Sequence, residues 1–129
     1  MLRQCEFALW DITTHIKSND TYEVLGKVRE KTALLPVVKE NRFLNSFSHI
    51  FSGGYAAGYF SYKWPEVLAA DAYEFVKESG GIGSKSSNDF RRYILEIGGS
   101  LDFMEQYVKF RGSRPKMDGL LKASGILIR

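Results

Sequence analysis

Cysteine, histidine and proline are scarce in this chain of 129 residues, which has one cysteine, two histidines and three prolines. The single cysteine, Cys5, can form neither an internal disulfide nor a cysteine cluster for a metal, and it fits a reducing compartment. The histidines, His15 and His49, lie far apart, and neither belongs to an H-E-x-x-H motif, which presents two zinc ligands and a general base on one helix. The sequence therefore predicts that this chain binds no metal by itself.

The chain also lacks a long apolar run and a concentration of one charge. No stretch of eighteen apolar residues could cross a bilayer, and the N-terminal residues do not follow the basic-then-apolar plan of a signal peptide. Eighteen basic and fifteen acidic residues give a scattered formal charge of +3, as on an ordinary mixed surface. We therefore expect a cytoplasmic protein with neither a membrane nor a nucleic acid as partner.

The chain has enough apolar residues for a core, since 44% are hydrophobic and 14% aromatic. Its length suits one domain. Apolar residues recur at three- and four-residue steps, which is the helical period. The fold class predicted is mostly α, with about six helices and a Gly/Tyr-rich loop. The helices are expected at about 2–17, 21–31, 62–78, 88–97, 101–110 and 115–121, with a short extended or irregular lead-in over 42–51.

The first predicted helix carries an apolar stripe, which the aromatic residues Phe7 and Trp10 broaden. A polar break at 18–20 ends this helix, and Asp20 is placed to cap the next one, with Glu23 completing a capping box. The stripe consists of Leu2, Cys5, Leu9, Ile12 and Ile16.

Single residues mark the ends of the later helices. Pro65 is tolerable only in the first turn of its helix. Asn88 and Ser100 are the predicted N-terminal caps, and Gly112 and Gly125 the C-terminal stops. Further inward-facing residues are predicted at Trp64, Val67, Leu68, Ala72, Phe75, Val76, Phe103, Met104, Tyr107 and Val108.

Asp71 falls on the apolar side of its predicted helix. A buried carboxylate needs a partner, so we expect a structural hydrogen bond or ion pair there. His15, near a helix end, is expected to face solvent.

The most informative segment runs from His49 to Tyr62 and contains three glycines and three tyrosines. Glycine reaches positive φ cheaply, so the segment can turn tightly and move. Tyrosine combines an apolar ring with a hydroxyl that donates hydrogen bonds. Such a loop suits gripping an extended polar chain and placing a donor near a developing negative charge.

This run resembles, nearly position for position, the bacterial branch of the thimet oligopeptidase and oligopeptidase A family of zinc metallopeptidases. Residues 3–11 are similar to the helix that follows the zinc site in that family, and residues 66–72 and 98–121 match it as well. The resemblance implies that residues 1–129 form a single C-terminal helical part of the peptidase catalytic domain. The zinc-binding H-E-x-x-H portion is absent from this sequence.

The resemblance also assigns roles to residues of the loop. Tyr62 matches the tyrosine whose hydroxyl stabilises the oxyanion, and His49 matches a histidine that contacts the substrate in the transition state without binding zinc. The remaining residues would line the substrate groove or let the loop open and close: Tyr55, Tyr59, Gly53, Gly54 and Gly58.

The implied function is the substrate-binding part of a zinc-dependent oligopeptidase that hydrolyses short peptides. Zinc would belong to the complete enzyme, and this chain alone would be inactive. An alternative is a self-standing helical assembly module without catalysis, since helices cut from a larger body expose apolar stripes. We then expect a homo-oligomer in isolation, held by Leu2, Leu9, Ile12 and Ile16. A third possibility is an active enzyme assembled in trans with a separately encoded zinc-bearing part.

Overall fold

The computed structural model describes residues 1–16 and 20–126, and there the chain forms α-helices joined by turns, without a strand. The prediction of a mostly α fold is therefore confirmed. None of the described helices is long and apolar enough to cross a bilayer. Seven α-helices lie in the described residues: α1 (Leu2–Ile16), α2 (Thr21–Thr32), α3 (Phe43–Ser46), α4 (Trp64–Glu78), α5 (Lys85–Phe90), α6 (Phe103–Arg111) and α7 (Asp118–Ala123).

Two other helical turns lie among these described residues. A 3₁₀ turn, Tyr59–Tyr62, precedes α4, and a π-helical turn, Arg91–Leu95, continues α5. The elements divide into a first unit, Met1–Lys63, and a second unit that begins at Trp64. Each unit has its own cluster of buried apolar side chains.

Helix α1 fully buries only the aromatic part of the stripe predicted for it. Leu2, Leu9 and Ile16 are 43%, 49% and 72% exposed, whereas Phe7 and Trp10 are buried. The reason is aromatic packing, which dominates the burial of such a helix. The Phe7 ring stacks on Phe43 at 4.8 Å and meets Tyr59 edge-on at 5.6 Å, and Trp10 contacts Phe43 and Phe47 at 5.8 Å each. The predicted helix end at Lys17 and the break at 18–19 lie outside the described residues.

Helix α2 begins as predicted. The Asp20 carboxylate caps it by accepting hydrogen bonds from the backbone N–H groups of Tyr22 and Glu23, at 2.8 and 3.4 Å. Its buried residues include Leu25 and Val28, which pack into the core of the first unit. Tyr22, in the first turn of α2, is exposed.

The lead-in over 42–51 is not extended; apart from one short helix it is irregular, which is the other predicted alternative. The segment forms the short helix α3, followed by turns. Asn41 Oδ1 accepts from the Phe43 N–H at 2.8 Å at the start of α3. The Phe43 and Phe47 rings, four positions apart, contact each other at 4.7 Å and both pack on α1. Burial of two aromatic rings on one side favours the helical turn.

In the second unit, α4 tolerates Pro65 in its first turn, as predicted. The core contains Ala72, Tyr107 and Phe110, and the rings of Phe75 and Phe90 meet Phe110 edge-on at 5.4 and 5.3 Å. Three residues predicted to face inward are instead exposed because the buried side of each helix is narrower than the apolar pattern: Trp64, Phe103 and Val108.

The two predicted N-terminal caps of this unit are misplaced. Ser84, not Asn88, caps α5, and its hydroxyl accepts from the Ser87 N–H at 3.2 Å. Asp102, not Ser100, caps α6, and its carboxylate accepts from the Glu105 N–H at 2.8 Å. Each cap precedes the N–H that it accepts from by three positions, which is the usual capping distance.

The C-terminal stops are placed as predicted. Gly112 at φ 77° ends α6, and Gly125 at φ 69° follows α7. Helix α7 itself begins at Asp118 rather than at Pro115. Positive φ at both glycines explains why these positions carry no side chain.

Asp71 has the partners that its burial requires. Its Oδ2 accepts from the Tyr107 hydroxyl at 2.7 Å and from Arg111 Nε at 3.2 Å. Burial, and then the hydrogen bond to Asp71, raise the pKa of the Tyr107 phenol well above its usual range. The expected structural role of Asp71 is therefore confirmed, since it ties α4 to α6.

Gly119 permits a close approach between α7 and α4. A Cβ added there would lie 2.8 Å from the carbonyl carbon and oxygen of Ala70, which are backbone atoms and cannot give way cheaply. We expect Gly119→Ala to destabilise the second unit by about 1–3 kcal/mol. The measurement is chemical denaturation followed by circular dichroism.

Gly26, inside α2, provides the matched control for Gly119. A Cβ at Gly26 meets nothing within 4 Å. Gly26→Ala should therefore stabilise the chain by about 0.4–1 kcal/mol, because alanine restricts the unfolded chain. The same sign of effect for both substitutions would contradict the close packing at Gly119.

Candidate functional site

The segment after α3 is a chain of tight turns rather than an open linker. The Ser48 carbonyl accepts from the N–H groups of Phe51, Ser52 and Gly53 at 3.1, 2.9 and 2.9 Å. Ile50, inside these turns, is completely buried in the core of the first unit. The loop is thus anchored at its start by apolar burial and backbone hydrogen bonds.

Two of the three glycines are required by this geometry. A Cβ at Gly53 would lie 2.8 Å from the Cα of His49, and Gly54 has a φ of 80°. Gly58 has a negative φ, and a Cβ there would meet Tyr55 only at ordinary contact distance. Gly53 and Gly54 therefore have a structural reason to be glycine, whatever their effect on loop motion.

The structure groups the four ring-bearing residues predicted for the site. Tyr62 lies 5.0 Å from Tyr55 and 4.8 Å from Tyr59, measured between ring centroids. His49 lies 6.1 Å from Tyr55 and 6.2 Å from Tyr59. The 3₁₀ turn explains the central contact, because residues three apart on such a turn point the same way. We call His49, Tyr55, Tyr59 and Tyr62 the tyrosine cluster.

The members of the tyrosine cluster differ in exposure. Tyr55 and Tyr62 are 37% and 40% exposed, and His49 is also at the surface. Tyr59 is only 7% exposed, and its ring packs against Phe47 at 5.4 Å. Burial raises the pKa of the Tyr59 hydroxyl, and a hydrogen bond from Gln4 opposes the increase. Tyr59 is thus the floor of the cluster, and the other three rings form its exposed part.

The Tyr62 hydroxyl is held in its protonated form. Its hydrogen bond with Tyr55 is the main cause that raises the pKa of Tyr62 to about 12, followed by local desolvation. Between neutral pH and pH 10, Tyr62 therefore remains a neutral phenol that can donate a hydrogen bond.

Asp11 is the residue of this site that the sequence reasoning missed. Its carboxylate lies on α1 and is completely buried. Oδ1 accepts from the Ala57 N–H at 2.9 Å and Oδ2 from the Tyr59 N–H at 2.8 Å. His15 Nδ1 lies 2.9 Å from Oδ1, so the exposed His15 is also a partner of this carboxylate. The signal in the sequence was an acid between Trp10 and Ile12 with a histidine four positions later.

The described residues do not fit a metal. Within 1–16 and 20–126, no three side chains of histidine, cysteine, aspartate or glutamate come together in a way that could hold an ion. His49 stands among tyrosines, and His15 beside a carboxylate that already accepts two amide hydrogen bonds.

The chain belongs to peptidase family M3, because the model of that family matches residues 1–126. The predicted resemblance to the thimet oligopeptidase and oligopeptidase A family is therefore confirmed. The chain is 44% identical to the probable cytosolic oligopeptidase A of Arabidopsis thaliana and 42% identical to oligopeptidase A of Salmonella typhimurium. It is 40% identical to oligopeptidase A of Escherichia coli. Each match covers 98% of this chain and 19% of the relative, so the chain spans about a fifth of their length.

Proposed function

We propose that this chain is the C-terminal, substrate-binding part of the catalytic domain of a zinc-dependent oligopeptidase that hydrolyses short peptides. Membership of peptidase family M3 and the relatives named oligopeptidase A support the reaction class. The observation that carries the proposal is the exposed grouping of His49, Tyr55 and Tyr62 around one loop. Phenol and imidazole groups at that spacing can contact successive polar groups of an extended peptide.

Tyr62 has the central role in this proposal. Its neutral hydroxyl donates a hydrogen bond to the oxygen of the scissile carbonyl as negative charge develops there. The raised pKa of about 12 supports this role, since the proton stays in place throughout the working range of pH. The hydrogen bond stabilises the transition state more than the substrate, which is the requirement for an effect on rate.

The other residues of the loop contact or admit the peptide. His49 and Tyr55, both exposed, hydrogen-bond the substrate and line its groove. Tyr59 supports Tyr62 from beneath and would touch peptide only if the loop moves, because its ring is buried. The backbone freedom needed for opening and closing comes from three positions: Gly53, Gly54 and Gly58.

Zinc and the glutamate base belong, in this proposal, to a part of the enzyme outside these 129 residues. The partners are therefore a short peptide and that zinc-bearing part. A cytoplasmic location is proposed as well, supported by the single cysteine and by the relative named as cytosolic. The chain by itself is proposed to be inactive.

Hydrolysis of a quenched fluorescent short peptide tests the proposal. The chain is assayed with zinc, alone and mixed with the zinc-bearing part of its parent enzyme. We expect cleavage in the mixture only. Cleavage by the chain alone would show that a complete catalytic site lies within it. An inactive mixture of two folded parts would refute the proposed function.

The second candidate is a helical assembly module without catalysis. The exposed apolar residues Leu2, Leu9 and Ile16 of α1 favour it, because such a surface associates readily in water. An inactive mixture, together with a dimeric or larger chain in analytical ultracentrifugation, would support this candidate. A monomeric chain that completes the peptidase would exclude it.

A further inference from the structure

The carboxylate of Asp11 faces the backbone of the loop between Tyr55 and Tyr62. Each of its oxygens accepts one amide hydrogen bond, from Ala57 and from Tyr59, at 2.9 and 2.8 Å. Hydrogen bonds to an ionised carboxylate are stronger and shorter than those between neutral groups. The contact joins helix α1 to a segment more than forty positions further along the chain.

The burial of Asp11 makes these hydrogen bonds necessary. A completely buried carboxylate destabilises the fold unless partners replace its water shell. The partners found among the described residues are the two loop amides and His15 Nδ1. Two of these three partners belong to the loop, so the burial of Asp11 requires the loop to stay against α1.

The loop backbone at this point adopts a conformation that its sequence does not favour. Ala57 has a φ of 53°, and among the described residues it is the one non-glycine residue with a positive φ. Alanine is strained there, and strained residues persist where surrounding contacts hold them. The hydrogen bond from the Ala57 N–H to Asp11 is such a contact.

This held backbone lies between the residues of the tyrosine cluster. Tyr55 is two positions before Ala57, and the Tyr59 ring is in contact with the Tyr62 ring at 4.8 Å. We propose that Asp11 is a positioning residue, which fixes the Tyr55 and Tyr62 hydroxyls in the arrangement used on a peptide. The effect of Asp11 on catalysis rests on the proposed function, whereas its effect on the loop can be measured on the chain alone.

Asp11→Asn tests the positioning because it keeps the shape of the side chain and removes one acceptor. The carboxamide can accept from one loop amide, but its NH₂ group faces the other. We expect the Ala57 and Tyr59 amides to exchange hydrogen about 10- to 100-fold faster, as for the loss of a hydrogen bond to a charged group. We also expect the pKa of Tyr62, followed by NMR, to fall from about 12 towards its ordinary value of 10.0 as its stacking on Tyr55 loosens.

Asp71→Asn is the matched control. Asp71 is also a buried aspartate with two partners, but these are Tyr107 and Arg111 of α6. The same substitution there should leave the Ala57 and Tyr59 amides and the Tyr62 titration unchanged. Unchanged exchange and an unchanged Tyr62 titration in folded Asp11→Asn would overturn the positioning role.

A second measurement needs no variant and covers the case in which Asp11→Asn does not fold. NMR couplings across hydrogen bonds, from the Asp11 carboxylate carbon to the Ala57 and Tyr59 amides, should be detectable in the unmodified chain. Their absence would overturn the proposal. In the peptidase mixture, Asp11→Asn should lower kcat about 10-fold or more with a smaller change in KM. An inactive unmodified mixture would reject the proposed function, while the NMR results would still decide the positioning.

Discussion

Tyr62→Phe is expected to lower the kcat of the reconstituted peptidase by about 100-fold or more, with little change in KM. The substitution removes one hydroxyl and keeps the ring that contacts Tyr55 and Tyr59. An interaction made mainly in the transition state affects kcat, whereas one made equally with the substrate affects KM. Steady-state hydrolysis of the fluorescent peptide by the mixture measures both constants.

Tyr73→Phe is the control for this substitution. Tyr73 is an exposed tyrosine of α4 and is not part of the tyrosine cluster. The same loss of a hydroxyl there should leave kcat and KM unchanged. If the kcat of Tyr62→Phe stays within about threefold of the unmodified value, Tyr62 does not stabilise the oxyanion.

The pH dependence of activity provides a second test of Tyr62 as a protonated hydrogen-bond donor. The pKa of about 12 lies above the ordinary phenol value of 10.0, so the Tyr62 proton is lost only as the pH rises towards 12. If the unmodified mixture loses activity between pH 7 and pH 10, another group must cause the loss, and the residual activity of Tyr62→Phe should fall in the same way. A loss that is present in the unmodified mixture and absent in Tyr62→Phe would contradict a protonated donor.

Trp10→Ala is expected to destabilise the first unit by about 3–5 kcal/mol, a large share of the stability of an ordinary domain. Trp10 is completely buried, its ring contacts Phe43, Phe47 and Phe51 within 5.9 Å, and its Nε1 donates to Thr21 Oγ1 at 2.9 Å. Alanine leaves a cavity and removes this donor. Urea denaturation followed by circular dichroism at 222 nm measures the loss.

Leu9→Ala is the control for Trp10→Ala, because Leu9 is its neighbour on α1 and half exposed. We expect it to change the stability by no more than about 1 kcal/mol. This comparison also tests which side of α1 is the core side. Equal effects of the two substitutions would indicate that the aliphatic residues of the stripe support the fold as much as the aromatic ones.

Helix positions were predictable from sequence because they depend on local signals. Asp20, Gly112 and Gly125 act within a turn of their own helix, and they are placed as expected. The inward side of α1 depends instead on distant partners. Glu6 is buried because Arg3 and Arg29 reach it at 3.0 and 3.1 Å, and the latter comes from another helix. Hydrophobic periodicity contains no information on such a pair.

In the candidate site as well, local features were predictable from sequence and contacts between distant residues were not. The identity of the loop residues followed from their sequence, and the 3₁₀ turn that brings Tyr59 beside Tyr62 spans only four residues. The burial of Tyr59 and the support from Asp11 could not be predicted in this way. Both depend on α1, which packs against the loop from more than forty positions away.

The stacking of Tyr62 on Tyr55, with ring centroids 5.0 Å apart, has a consequence for selectivity, because Tyr62 is a positioned neutral donor. A donor that already has a neutral acceptor gains little by exchanging it for another neutral acceptor, such as the carbonyl of an intact peptide. It gains more from an acceptor that carries negative charge, because charge-assisted hydrogen bonds are about twice as strong. In the proposed enzyme, Tyr62 therefore distinguishes a resting peptide bond from one under attack.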